Sequence, residues 1–165
     1  MKIDGVSYRS IWPHADGVSV EIVDQTRLPH ELAVLRLATM EDAAHAIRIM
    51  QVRGAPLIGA TAAYGVALAM LADASNLGQA IETLAATRPT AVNLRWALDR
   101  MRGLLEPLAP GERAAAAWAR AGEICDEDVQ RNRALGEHGL ALIREIAERK
   151  RGEPVNILTH CNAGW

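Results

Sequence analysis

A chain of 165 residues, half of them hydrophobic, can bury a substantial core as one domain, or as one domain plus the first piece of another. Its formal net charge of -2 and pI near 6.2 supply no global attraction for nucleic acid or an anionic membrane, so neither is expected as a partner. A small anionic metabolite would need a local basic site. The cations are almost all arginine, with Lys2 and Lys150 the only lysines, and arginine forks suit phosphate or carboxylate.

The opening residues alternate, with Val18, Val20 and Ile22 on one face and Ser19, Glu21 and Val23 on the other. Val6, Tyr8 and Ile11-Trp12 precede them, and Pro13-His14-Ala15-Asp16-Gly17 is a turn signal, which together predict a small antiparallel sheet. Leu32 to Leu37 is a candidate for a further strand. From Thr39 the pattern turns helical: Thr39 with Asp42 resembles a capping box, followed by apolar Ala43, Ala46, Ile47 and Met50, and the helix should end near Gln51-Val52. Pro56 opens the next helix, which runs to about Ala74 with apolar residues on every side and so should be central and buried. Its stretch from Leu57 to Leu71 is too short to span a bilayer comfortably. Gly59, Ala63 and Gly65 would let neighbours approach closely.

A shorter helix is expected over Gly78 to Ala86. Another should run from Ala91 to about Leu105, with Leu94, Leu98, Met101 and Leu105 on one stripe, until Pro107 and Pro110 break the pattern. Glu112 to Arg149 then reads as helix, with Gly136 or Gly139 as sites of interruption. Arg149-Lys150-Arg151-Gly152-Glu153-Pro154 is the best linker in the chain, and Val155-Asn156-Ile157-Leu158 after it reads as a short buried strand. The fold class predicted is α+β: a sheet-and-helix-bundle domain over 1–152, then over 153–165 the first strand and elbow of a Rossmann-like α/β domain that the chain does not contain.

Three places could carry chemistry. Arg53-Gly54-Ala55-Pro56 combines a cation, a glycine and the start of a buried helix, and so a charge, exposed N–H groups and the positive end of the helix dipole. Spacing alone fits equally a turn at Gly54 with Arg53 capping a neighbouring helix. Thr87-Arg88-Pro89-Thr90-Ala91-Val92-Asn93 has a similar layout, with Thr90 able to cap the following helix. Taken alone, Arg88 reads as an ion-pair residue; only convergence with Arg53 on one anion would change that.

Cys161 is the third. It follows the expected strand in Thr159-His160-Cys161-Asn162-Ala163-Gly164-Trp165, and ligands sit at the carboxyl ends of strands in α/β sheets. A thiol there could be tuned for proton transfer or nucleophilic attack, although adjacent strand residues point oppositely and His160 is not automatically its base. Cys125, on a helical stripe with Trp118 and Val129, reads instead as a small core hydrophobe. Two cysteines so far apart suggest neither a disulfide framework nor a zinc site, and reduced thiols suit the cytoplasm. His14, His30, His45 and His138 show no metal-ligand spacing, and Glu123, Asp126, Glu127 and Asp128 beside Arg131 and Arg133 read as a solvated helix face, so no metal is expected.

Four segments in order, Asp24-Gln25-Thr26-Arg27-Leu28-Pro29, Val52-Arg53-Gly54-Ala55-Pro56-Leu57-Ile58-Gly59, Thr87-Arg88-Pro89-Thr90-Ala91-Val92-Asn93-Leu94 and Thr159-His160-Cys161-Asn162-Ala163-Gly164, resemble the methylthioribose-1-phosphate isomerase family. The resemblance spans the chain but only the N-terminal domain and first catalytic-domain strand of that family, which is related to translation initiation factor 2B subunits. It implies conversion of 5-methylthioribose 1-phosphate to 5-methylthioribulose 1-phosphate in methionine salvage, without a cofactor, by a cytoplasmic enzyme that is a homodimer at full length. Position by position it implies substrate binding by Arg53, Gly54 and Ala55, a second phosphate arginine at Arg88, and a catalytic cysteine at Cys161. The family's partner Asp, and further contacts from a Gln and an Asn-Lys pair, would lie beyond residue 165. The chain is therefore expected to be part of a longer protein and inactive alone. The alternatives are ribose-1,5-bisphosphate isomerase, a non-catalytic regulatory subunit of the same fold, and a helical interaction domain with no small-molecule site.

Overall fold

The computed structural model describes residues 2–3 and 5–160, with only the backbone at Lys2 and Ile3. The chain divides into two compact units, Met1–Ile124 and Cys125–Trp165. In the first, β1 (Lys2–Ile3) and β2 (Val6–Ser7) form a two-stranded antiparallel ribbon. A separate antiparallel sheet has the order β3 (Ile11–Pro13), β4 (Val20–Val23), β5 (Val34–Leu37). The small sheet expected from the alternating residues is thus two sheets.

The register pairs Ile11 with Ile22 and Pro13 with Val20, leaving residues 14–19 as the turn. Val18 falls in that turn and is exposed, whereas Val20, Ile22 and Val23 are fully buried. Burial of both Ile22 and Val23 means that β4 is covered on both faces, as suits the central strand of three. Asp16 organises the turn by accepting hydrogen bonds from the N–H groups of Val18 and Ser19 at 3.0 Å each and from the Ser19 hydroxyl, and it pairs with Arg36. These partners, the Val18 amide first, then Ser19, His14 and Arg36, hold its carboxyl below the ordinary carboxylate range.

Four helices follow in this unit: α1 (Met40–Arg48), α2 (Ala55–Ala72), α3 (Leu77–Ala85) and α4 (Val92–Leu105). Helix α5 (Pro110–Lys150) begins here, and the division into units falls within it. Helix α2 is the hub, packed against α1, α3 and α4. By length and composition it could cross a membrane, but 67% of it is buried inside the structure. Its apolar residues on every side are therefore accounted for by neighbours on every side.

Small residues set how close those neighbours come. A Cβ on Gly65 would lie 3.0 Å from a Leu84 methyl of α3 and 3.1 Å from the Ala43 Cβ of α1. On Gly59 it would meet the backbone carbonyl oxygen of Asn93 at 2.9 Å. The predicted stripe of α4, Leu94, Leu98, Met101 and Leu105, is buried throughout. At the far end of α4, Arg113 of α5 donates to the carbonyls of Leu105, Leu108 and Ala74 at 2.9–3.1 Å, closing off the helix C-terminus.

In the second unit α5 continues unbroken through Gly136 and Gly139, because two isolated glycines cost less than the surrounding helix formers contribute. Its exposed charges pair along the helix, Arg131 with Glu127 at 2.8 Å and Arg133 with Glu137 at 3.0 Å. The helix stops where Arg151 and Gly152 take positive φ values of 51° and 98°. One expectation needs correction: Cys125 is half-buried and Val129 exposed, so that stripe faces partly to solvent. The segment 155–158, expected as the first strand of a further domain, carries no ladder hydrogen bonds among the described residues, and Leu158 is 99% exposed. A strand exists only through its hydrogen-bonded neighbour, and no described strand lies beside this segment.

Candidate anion site at two helix entrances

The site is best built from the starts of the helices. At α1 the backbone is satisfied from within: Thr39 accepts from the Asp42 N–H at 3.1 Å, Asp42 accepts from the Thr39 and Ala38 N–H groups at 2.9 Å, and Glu41 adds a second negative charge to the first turn. This is the capping box that the sequence predicts, and it leaves the positive end of the helix occupied.

Helix α2 starts differently. Its N-cap is Gly54, which has no side chain to donate or accept, and Pro56 has no N–H to be satisfied. No acidic residue lies in the first turn. Gly54 has φ +88°, a backbone conformation that side chains rarely adopt. Helix α4 has the same character: Ala91 is its N-cap, no side chain caps it, and its first turn carries no acid. Helix α3 also lacks a side-chain cap and a first-turn acid, so what sets α2 and α4 apart is the arginine before each of them. Thr90 therefore does not fill the capping role expected of it. The Ala91 N–H instead closes a turn onto the Arg88 carbonyl at 3.0 Å, which shifts the cap position one residue past Thr90.

The two entrances lie side by side. Gly59 is one turn into α2 and sits against Asn93, the second residue of α4, so the first turns of the two helices are in contact. Arg53 immediately precedes one and Arg88 lies in the turn leading to the other. Arg53 is exposed and Arg88 half-buried. Among the described residues neither makes a side-chain hydrogen bond or ion pair, as is also true of Arg48, Arg95 and Arg102, whereas Arg27, Arg36, Arg113 and Arg120 of the same unit do. An arginine and a helix start without a side-chain cap are thus found together in sequence at each entrance, and both features favour an oxyanion.

Cys161 lies outside the described residues, as do Asn162, Ala163, Gly164 and Trp165. His160 is described and exposed, in an unpaired stretch. The Arg53-Gly54-Ala55 and Arg88 segments precede two helices that touch at Gly59 and Asn93.

Asp24 takes a part that its motif alone did not reveal. It is 4% exposed, and Oδ1 accepts the Thr26 N–H at 2.9 Å and the Thr26 hydroxyl at 2.6 Å. Oδ2 accepts Nε2 of Gln51 at 3.4 Å. An Asp two residues before a Thr is a readable turn signal. The link to Gln51, twenty-seven positions away, has none.

Residues 51–165 match the Initiation factor 2 subunit family, and the chain belongs to it. Over its whole length the chain is 63% identical to a methylthioribose-1-phosphate isomerase of Paramagnetospirillum magneticum, covering 46% of that protein. The chain thus spans about half the length of the curated relatives whose name carries that activity. Two solved structures are similar. The 5-methylthioribose 1-phosphate isomerase of Pyrococcus horikoshii matches with a TM-score of 0.76 at 36% identity, over 82% of this chain and 40% of that one. Subunit delta of translation initiation factor eIF-2B from A. fulgidus matches at 0.74 and 39%, over 82% and 42%.

Proposed function

We propose that this chain supplies the phosphate-binding part of an aldose–ketose isomerase acting on 5-methylthioribose 1-phosphate in methionine salvage. The observation that carries the reading is the pair of uncapped helix entrances, each preceded by an arginine with no partner among the described residues. Relatives named for that isomerisation support the choice of substrate. Arg53 and Arg88 would neutralise the phosphate, and the Gly54 and Ala55 amides would bind its oxygens where no side chain intervenes.

The anomeric phosphate of the substrate blocks the simple ring opening available to a sugar with an open anomeric hydroxyl. The reaction thus needs an acid to assist opening and a group that manages hydrogen transfer between the first two carbons. Cys161 is assigned to that chemistry, on a second domain beginning near residue 153, and no cofactor is invoked. The whole activity is proposed for a protein of the relatives' length, cytoplasmic and homodimeric.

The test is ketose formation by the chain extended to that length. Turnover of 5-methylthioribose 1-phosphate is expected, with Cys161→Ser lowering kcat by about 100-fold or more. Retention of activity in Cys161→Ser would remove the catalytic assignment, and preference for ribose 1,5-bisphosphate would redirect the substrate. The 165-residue chain by itself is expected to show no turnover. A second reading, a regulatory subunit without catalysis, is favoured by the likeness to eIF-2B subunit delta. Absence of turnover with both sugars at full length would support it.

A further inference from the structure

The loop that delivers Arg53 is fixed from the sheet side. Asp24 directly follows β4, and the main chain of Gln25 donates to the Gln51 carbonyl at 2.9 Å, while the Gln51 side-chain amide donates to Asp24 Oδ2. Residue 51 is therefore tied to the 24–25 corner by both its backbone and its side chain. On one side of it Met50 has φ +63°, a left-handed conformation disfavoured for a residue with a side chain. On the other side Val52 is fully buried, with its N–H donating to the Ala46 carbonyl at 3.3 Å. Residues 50–52 thus have little freedom immediately before Arg53 and the positive-φ Gly54.

The choice of a carboxylate at position 24 calls for a reason. The turn at Thr26 needs one acceptor, which a Ser would provide without the cost of desolvating a charge. The second oxygen is what distinguishes Asp24, and it reaches out of the turn to the Arg53 loop. We propose that Asp24 is a positioning residue for the anion site: through Gln51 it fixes the loop carrying Arg53 and Gly54, and so sets the affinity of the two helix entrances for a phosphate group. The inference rests on the anion-site reading above. Its physical basis is that a site held in its binding geometry loses less conformational freedom when the anion arrives.

The experiment is a titration of the 165-residue chain with inorganic phosphate, followed by amide NMR shifts at Gly54 and Ala55, with melting temperature recorded for each variant. Gln51→Ala leaves the Asp24–Thr26 turn intact and is expected to weaken phosphate binding about tenfold while the chain stays folded. Asp24→Asn should remain within about twofold of the parent, because a turned Gln51 amide can accept from the new amide while the Thr26 bonds persist. A purely structural role would lower the melting temperature of Gln51→Ala and leave its phosphate affinity unchanged, and that result overturns the proposal. Arg53→Ala separates the two layers. If it loses binding while Gln51→Ala keeps it, only the positioning role fails; if both bind like the parent, the anion-site reading falls with it.

Discussion

The entrance of α1 and the entrances of α2 and α4 face the same problem, since each helix begins with N–H groups that have no partner within the helix. In α1, Thr39 and Asp42 solve it locally and Glu41 adds charge. In α2 and α4 it is left unsolved, by Gly54 with no side chain and by Ala91 with an inert one. A helix whose only task is to be stable would gain from the first arrangement. Helix α3 is also without a side-chain cap, so it is the arginine before α2 and before α4 that carries the proposal of an anion from outside the chain.

The tightest approach near the two entrances is at Gly59, which makes it the place to break the comparison hardest. Gly59→Val would push a branched side chain into the Asn93 backbone, where even a Cβ stands at 2.9 Å. The expected cost is about 3 kcal/mol of stability in urea unfolding, from overpacking against a main chain that cannot yield. Phosphate binding should fall together with it, because α4 must move away from α2. The matching change at Gly78, where nothing lies within 4 Å, should leave stability unchanged or raise it by under about 0.5 kcal/mol, because valine is a slightly better helix former than glycine.

Much of this was legible in the chain. The Thr39–Asp42 box, the Pro56 start, the stripe of α4 and the close-approach glycines are local signals, and local physics decides them. The misread positions are those where a distant partner decides. Thr90 has the chemistry of a cap, but the turn closed by Arg88 moves the cap to Ala91. For the 155–158 segment, strand formation depends on a neighbour, which composition cannot supply. Arg53 and Arg88 were identifiable as candidates individually. Their proximity was not, because it is set by Gly59 against Asn93, thirty-four positions apart, and the Asp24–Gln51 link is hidden for the same reason.

Exchanging the caps sharpens the contrast at smaller cost. Thr39→Ala should destabilise the chain by about 1 kcal/mol and leave phosphate binding unchanged, since α1 already satisfies itself. Ala91→Asp should do the reverse. It gives α4 a side-chain acceptor and a negative charge at its positive end, so stability should rise by about 0.5–1 kcal/mol. The same carboxylate occupies the place reserved for the anion, and phosphate affinity should drop about tenfold or more by repulsion and competition. If Ala91→Asp stabilised the chain without weakening phosphate binding, the α4 entrance would not be part of the site.

The smallest expected effect concerns Asp16, which satisfies backbone amides in the β3–β4 turn as Asp42 does at α1. Its carboxyl is held below its ordinary value of 3.8 by the Val18 amide first, then by Ser19, His14 and Arg36. A carboxyl with a depressed folded-state pKa contributes stability that is complete above its unfolded value and is lost as pH falls toward the folded one. The contribution should therefore be constant at neutral pH and decline below about pH 4. Asp16→Asn keeps an acceptor for the turn but removes the titrating group, so its melting temperature should fall less steeply than the parent's between about pH 4 and pH 2. Asp16 sits in an exposed turn and is screened by solvent and salt, so the difference should shrink in high salt. A parent and variant with parallel acid limbs would show that the Val18 and Ser19 bonds do not discriminate between the charged and neutral carboxyl. Phosphate affinity at neutral pH should be untouched in either case, because the turn at Asp16 completes its own hydrogen bonds while the entrances of α2 and α4 do not.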